Sequence, residues 1–346
     1  MKHQTTRYGE IPFYKIGTFG NTADAFISKK LFLEYKTKYS FPKKGDILIS
    51  ASGTIGRAVI YDGKPAYFQD SNIVWIDNDE TLVKNDFLFY AYSNVKWNTE
   101  HTTILRLYND NFRNTLIPLP PLNEQSAIAN ILSGLDRYLC ALRALILKKE
   151  CVKKALSFEL LSQRKRLKGF NQAWQRVRLG DIANYLTSNL SAEQITQQGK
   201  IKVYDVNNFI GYTDTTFISD KPYISIVKDG SVSRVRILPP KTNILSTMGA
   251  LIANHKTTTE FLFYLLSNFD FKNFTSGSII PHIYFKDYKE KTIFLPPLNE
   301  QIAIANILSG LDKEITSLKN KKRQFENIKK ALNHDLMSAK IRVLEK

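Results

Sequence analysis

Residues 119–136 read LPPLNEQSAIANILSGLD and residues 295–312 read LPPLNEQIAIANILSGLD, differing only where Ser126 stands opposite Ile302. Seventeen identities in eighteen, 176 positions apart, mark the 346-residue chain as a tandem duplication. Fainter echoes precede each copy. Phe87-Leu88-Phe89-Tyr90 followed by Ser93-Asn94 matches Phe261-Leu262-Phe263-Tyr264 followed by Ser267-Asn268, and Gly53-Thr54-Ile55-Gly56-Arg57 resembles Gly230-Ser231-Val232-Ser233-Arg234. The repeated object is a globule plus a tail; the tails stayed alike while the globules diverged.

Each tail reads as a long helix. Pro120-Pro121 and Pro296-Pro297 bar a helix before them, Asn123 and Asn299 are expected N-caps, and Glu124 and Glu300 fall in the favourable first turn. A seven-residue frame places Leu135, Leu139, Leu142 and Ile146 on a seam in the first tail and Leu311, Ile315, Leu318 and Phe325 on one in the second, sustained over about five heptads. The spacing therefore predicts two rods of some 60 Å that pair antiparallel as a coiled coil, giving a pseudo-two-fold chain. Lys149, Lys153, Lys322 and Lys329 interrupt the seam. They read as an interior weak point, as a site for a partner's acids, or as a register shift through Val152 and Ile328. The expected organisation is a globule over 1–117, a helix over 118–170, a globule over 171–294 and a helix over 295–346.

Both globules alternate short β-type runs, such as 46–50, 72–76, 223–227 and 233–238, with helical stretches near 86–94 and 259–268, so the fold class is α+β. With 49 Lys+Arg against 32 Asp+Glu, the net charge of +17 points to a polyanion, nucleic acid before an anionic membrane. The tails hold +10 of it and the globules only +3 and +4. No run approaches the ~18 apolar residues of a spanning helix and the start lacks a signal-peptide core, so a cytoplasmic location without membrane contact is expected. Cys140 and Cys151, three turns apart on a helix, read as reduced packing residues.

Catalytic signatures are missing from the sequence. All three Pro-Pro pairs follow leucine, not the Asn or Asp of an adenine methyltransferase loop, and no phosphate-binding Gly-x-x-x-x-Gly-Lys-Ser/Thr run occurs. Asp24 with Glu34-Tyr35-Lys36 half-matches a nuclease pattern, as chance allows in so charged a chain, and the five histidines show no metal-ligand spacing. We therefore expect neither catalysis nor a bound metal. Gly53-Thr54-Ile55-Gly56 reads either as a tight turn between strands or as a loop that holds Arg57 toward phosphate or a guanine edge, with Arg234 in the equivalent place. Thr54, Arg57, Arg106, Ser231, Arg234, Ser278 and His282 are the candidate DNA contacts.

The doubled Leu-Pro-Pro-Leu-Asn-Glu-Gln, at 119–125 after Ile117-Pro118 and at 295–301 after Ile293-Phe294, closely resembles the specificity subunit of type I restriction-modification systems. So do Trp174 with Leu179-Gly180-Asp181-Ile182 and Gly277-Ser278 through Pro281-His282-Ile283. The resemblance implies a non-catalytic reader of double-stranded DNA with two mixed α/β target-recognition domains, each reading one half of a split target, and paired helices that set the gap. It implies that those helices dock two methyltransferase subunits using S-adenosylmethionine, and that a restriction subunit using ATP and magnesium joins them. This chain itself would bind no cofactor. Trp174 to Gln197 have no counterpart ahead of Tyr8-Gly9-Glu10-Ile11, so the first recognition domain is expected to lack an opening strand and helix here, either because the true start lies upstream or because this is a rearranged, truncated or silent copy. The rival expectation is a coiled-coil scaffold without sequence-specific DNA binding.

Overall fold

The computed structural model describes residues 4–68, 72–97, 106–277 and 279–344. It divides into two compact units, Met1–Arg143 with Asn320–Lys346, and Ala144–Lys319.

In unit 1, β1 (Ile11–Tyr14) lies between an antiparallel β2 (Ala25–Ile27) and a parallel β5 (Tyr67–Phe68). α1 (Lys29–Lys38) starts where the Ser28 hydroxyl accepts the Leu31 N–H at 3.2 Å, and it presses Phe32 onto that sheet. A second sheet runs β4 (Ala58–Ile60), β3 (Ile47–Ser50), β6 (Ile73–Ile76), all antiparallel. β3 is buried along its whole length, as a central strand of Ile-Leu-Ile should be. α2 (Asn85–Tyr92), α3 (Asn109–Arg113) and the start of the long α4 (Leu122–Leu161) follow.

Unit 2 repeats this plan and adds to it. β7 (Gln175–Arg178) and β8 (Ala183–Thr187) come first. Then β9 (Ile201–Tyr204) takes an antiparallel β10 (Phe209–Thr213) and, beyond β11 (Tyr223–Val227) and β12 (Val235–Leu238), a parallel β13 (Thr242–Ile244). β14 (Met248–Ala253) completes the sheet β12-β11-β14-β8. α5 (Thr259–Ser267), the hairpin β15 (Thr275–Ser276) and β16 (His282–Ile283), α6 (Phe285–Tyr288), β17 (Thr292–Leu295) and the long α7 (Leu298–Met337) close the chain order. The strands of unit 1 thus have counterparts in unit 2, whereas among the described residues of unit 1 nothing corresponds to β7 and β8. The expected opening strand and helix are two strands joined by a single 3-10 turn at Leu179–Asp181.

The long helices begin at Leu122 and Leu298, so Asn123 and Asn299 lie inside the first turn instead of capping it, each accepting the N–H of the next residue at 2.9 Å. Gln125 is the latch. Its amide donates to the carbonyls of Leu82 (3.0 Å) and Pro120 (2.8 Å) and accepts the Lys84 N–H (2.8 Å). Gln301 does the same with Lys256, Pro296 and Thr258 and adds the Thr257 hydroxyl. Each motif thereby fastens the entry to α2 or α5 onto its own long helix.

Within each unit the segments of α4 and α7 run antiparallel. In unit 1, Glu124 takes Arg342, Asp136 takes Lys329 and Glu326 takes Arg143; in unit 2, Lys149 takes Glu314, Lys153 takes Asp312 and Arg166 takes Glu300. The lysines that interrupt the seam thus meet acids of this chain: Lys149, Lys153 and Lys329 reach the opposite helix, and Lys322 pairs with Glu326 one turn on. No register shift is needed, and Val152 and Ile328 stay exposed. Two like triads recur, their aspartates and lysines 176 apart and their tyrosines 174 apart. Asp136 accepts from Tyr90 (2.9 Å) and Lys329 (2.5 Å), and Asp312 accepts from Tyr264 (2.9 Å) and Lys153 (2.5 Å). Burial foremost, then the facing carboxylate, pushes both phenols above their ordinary range, so both stay protonated donors. Cys140 and Cys151 are exposed free thiols, not packing residues. Among the described residues no helix is long and apolar enough to cross a membrane.

Candidate nucleic-acid interface

The β3–β4 and β11–β12 connections are one turn built twice. Gly56 N–H reaches Ser50 O and Ser50 N–H reaches Arg57 O; Ser233 N–H reaches Val227 O and Val227 N–H reaches Arg234 O, all at 2.9–3.0 Å. Closing the turn takes a left-handed residue, Gly56 at φ +77° and Ser233 at φ +70°. At Gly56 a β-carbon would also stand 2.2 Å from the Trp97 indole nitrogen, so glycine is demanded twice over. Ser233 bears the strain, about 1–2 kcal/mol, that glycine escapes.

A second segment lies against each turn. Ser52 bridges Arg106 and Leu107 N–H reaches Ala51 O at 2.8 Å; Asp229 bridges His282 and Ile283 N–H reaches Lys228 O at 2.9 Å. Two residues further on, Tyr108 lies under the Arg106 guanidinium at 5.9 Å and Tyr284 stacks by His282 at 6.3 Å. Arg106 and His282, like Tyr108 and Tyr284, are 176 apart. Each unit therefore gathers an arginine-bearing turn, a second basic residue and an aromatic face. Sequence reading placed Arg106 and His282 among the candidates but missed that they are structural equivalents.

The candidates fare differently. Thr54, Ser231 and Arg234 are exposed on the turns. Arg57 is exposed but does not project freely, since its guanidinium donates to the Phe19 carbonyl at 2.9 Å. The tight-turn reading of 53–56 therefore holds for its backbone, and Arg57 would have to leave Phe19 to meet a phosphate. His282 Nδ1 lies 2.7 Å from Asp229 Oδ1. Asp229 was not foreseen, although Asp-Gly at 229–230 is itself a turn signal. Ser278 lies outside the described residues. Beside it, the end of the β15–β16 hairpin exposes Ile279 and Ile280, at 92% and 54%. Asp229 Oδ could accept a cytosine amine, the arginines could donate to guanine or phosphate, and an isoleucine could meet a thymine methyl.

On the long helices, Leu139, Leu142, Ile146 and Ile315 are buried and Leu135, Leu311, Leu318 and Phe325 half-buried. Phe325 packs on Tyr138 with ring centroids 4.7 Å apart. That contact joins helix to helix within this chain, and a different face stays open. Exposed there, again 176 apart, are Leu122 and Leu298, Ile131 and Ile307, Val152 and Ile328. Asp24 of the nuclease half-match is paired with Lys15 at 2.8 Å, and among the described residues no three His, Cys, Asp or Glu side chains could share a metal.

The model of the type I restriction modification DNA specificity domain matches residues 1–150 and again 171–327. Over 137 residues, 39% of this chain and 36% of the relative, identity is 65% to a putative type I restriction enzyme specificity subunit of Haemophilus influenzae. The chain thus spans about a third of that relative in the match. Two subunits of Methanocaldococcus jannaschii match further: the putative MjaX specificity subunit at 29% identity over 86% of this chain and 79% of its own, and the MjaVIII specificity subunit at 26% over 92% and 84%. The specificity subunit of M. genitalium superposes with a TM-score of 0.65 at 20% identity, covering 97% of this chain and 91% of that one. Its likeness bears on the fold.

Proposed function

Because the chain belongs to the family of type I restriction-modification specificity subunits, we propose that it reads one split target in double-stranded DNA, each unit taking one half through its turn and the adjoining segment. The observation that carries this is the pairing of one backbone site, built twice, with different side chains on it: Thr54, Arg57 and Arg106 in one unit, Ser231, Arg234, Asp229 and His282 in the other. One scaffold with two sets of donors and acceptors suits two unlike half-sites. The long helices set the gap between halves. Their repeated exposed apolar residues, Leu122, Ile131 and Val152 with Leu298, Ile307 and Ile328, dock two copies of one methyltransferase, since like faces suit like partners. The methyltransferase supplies S-adenosylmethionine chemistry and a restriction subunit, where it joins, ATP-dependent cleavage with magnesium. This chain holds neither cofactor and catalyses nothing, and it acts in the cytoplasm. The recognition domains are 1–117 and 171–294, and the segments that carry the long helices 118–170 and 295–346.

Footprinting the complex with its methyltransferase tests the reading. Two protected half-sites at a fixed gap are expected, and the gap changes when one heptad is inserted into both helices while the half-sites do not. One continuous protected site, or protection indifferent to sequence at controlled salt, overturns it.

A further inference from the structure

At one position the two units carry opposite hydrogen-bond chemistry on the same backbone. Arg106 and His282 hold equivalent places, each bridged to the turn of its own unit, Arg106 to Ser52 and His282 to Asp229. A guanidinium has five donors and no acceptor in any surroundings. A neutral imidazole has one of each, and whatever engages one nitrogen decides what the other presents.

In unit 2 Asp229 makes that choice. Its Oδ1 lies 2.7 Å from His282 Nδ1, and a carboxylate only accepts, so Nδ1 carries the proton and donates it. Nε2 of the neutral ring keeps its lone pair, and among the described residues nothing donates to it. The ring is held in place. Gly230 N–H reaches Pro281 O and Ile283 N–H reaches Lys228 O, both at 2.9 Å, so the backbones that carry the pair are fastened on both sides of it. Tyr284 stacks beside the imidazole with the two planes 18° apart, and a β-carbon at Gly277 would stand 3.1 Å from His282 Cδ2, so the hairpin backbone closes on the ring. The side chains of His282 and Asp229 are 34% and 28% exposed, enough for a base edge to reach Nε2 and Oδ2. Both of these open atoms accept. In unit 1 the place of Asp229 is taken by Ser52, whose hydroxyl donates to Asn72 Oδ1 at 2.8 Å, and the residue it bridges is the donor Arg106.

We propose that His282, held by Asp229 in the tautomer protonated at Nδ1, accepts through Nε2 the exocyclic amine of an adenine or a cytosine in the major groove. His282 makes the contact and Asp229 is a positioning residue. The inference rests on the reading that unit 2 takes one half of a split DNA target, and it adds the class of base that this residue selects. Adenine N6 and cytosine N4 are the amines of that groove, whereas guanine and thymine present acceptors that an acceptor repels.

The test has the complex with its methyltransferase select bound duplexes from a pool of random sequence at pH 8, above the range in which imidazole ordinarily titrates. One position in the half-site of unit 2 should respond to residue 282 and hold adenine or cytosine. His282→Arg, which places there the side chain that unit 1 carries at 106, should change that position to guanine. Asp229→Asn, whose amide can donate to the ring as well as accept, should leave the position mixed between bases with an amine and bases with a carbonyl in the major groove. A selected duplex then separates the two amines, with purine replacing adenine or 2-pyrimidinone replacing cytosine. Loss of the amine should weaken wild-type binding about fivefold and leave binding by His282→Ala no weaker than with the intact base. Guanine or thymine at the responding position in the wild type overturns the proposal. So do His282→Arg and His282→Ala complexes that select the wild-type bases with lower affinity throughout, which would make His282 a backbone contact. These two results leave the split target standing. A wild-type complex that selects no split target overturns that reading, and this inference with it.

Discussion

Replacing Gln301 by alanine should unfold unit 2 far more easily than any surface change. The side chain is fully buried and makes four hydrogen bonds, to Pro296 O and Lys256 O as donor and from Thr258 N–H and the Thr257 hydroxyl as acceptor. At about 1 kcal/mol net per bond, with stranded polar groups adding to the loss and an entering water repaying part of it, we expect about 3–5 kcal/mol. For a unit of this size that is a fall in Tm of about 6–20 °C. Thermal unfolding followed by circular dichroism gives the total, and hydrogen exchange should place the loosening at 254–262 and 296–304. Gln301→Glu keeps the oxygen that accepts from Thr257 and Thr258 but turns a carboxylate oxygen, in place of the donating amine, toward two carbonyls, so it should be no milder. Gln125→Ala removes three bonds in unit 1 and should cost about 3 kcal/mol. A loss below about 1 kcal/mol for Gln301→Ala would refute the view that the repeated motif is a latch.

Tyr90 and Tyr264 have folded-state pKa values above the ordinary 10.0, so the stability they supply is complete below pH 10 and is lost as pH rises toward the folded values. A Tm profile between about pH 8 and 11 should fall at its alkaline end, and Tyr90→Phe with Tyr264→Phe should flatten it. Glu124 shows the opposite sign: the Arg342 guanidinium holds its carboxyl below the usual range, so its contribution is present above that range and is lost as pH falls through the lowered value. Arg342→Ala should therefore move the onset of acid unfolding, read by fluorescence, to higher pH. Ser233→Gly should raise stability by about 1 kcal/mol in urea unfolding, whereas Gly56→Ala should lower it by more, since Trp97 occupies the space. In DNA titrations at several salt concentrations, Arg234→Ala should reduce the salt slope by about 1 if the guanidinium meets a phosphate, and Arg57→Ala by less.

The repeat made much of this architecture readable. Tails that open almost identically and keep a heptad pattern announced the long helices, and runs such as 223–227 announced strands, because both signals are local. The extent of the helices was overstated at both ends, since after Leu161 and Met337 the chain turns back to bring Arg166 and Arg342 to the glutamates of the opposite helix, a contact 134 and 218 residues long in sequence. The seam lysines were legible as exceptions but not as ion pairs, because the acids of Lys149, Lys153 and Lys329 lie on the other helix. At the candidate interface, the cationic turns were found from Gly-x-x-x-Arg echoes, while the Arg57 tether to Phe19 and the Asp229–His282 pair depend on tertiary placement that no spacing encodes.

Unit 2 is one uninterrupted stretch, 144–319, but unit 1 needs residues 320–346 to close. On a ribosome, which adds about 5–20 residues per second, the N-terminal globule waits some 10–40 s after residue 143 emerges before Lys329 and Arg342 arrive to engage Asp136 and Glu124. The later-made unit can finish first, and during that interval the incomplete α4 face of unit 1, with Ile128 and Leu132 uncovered, is the part of the nascent chain that a chaperone would be called on to shield.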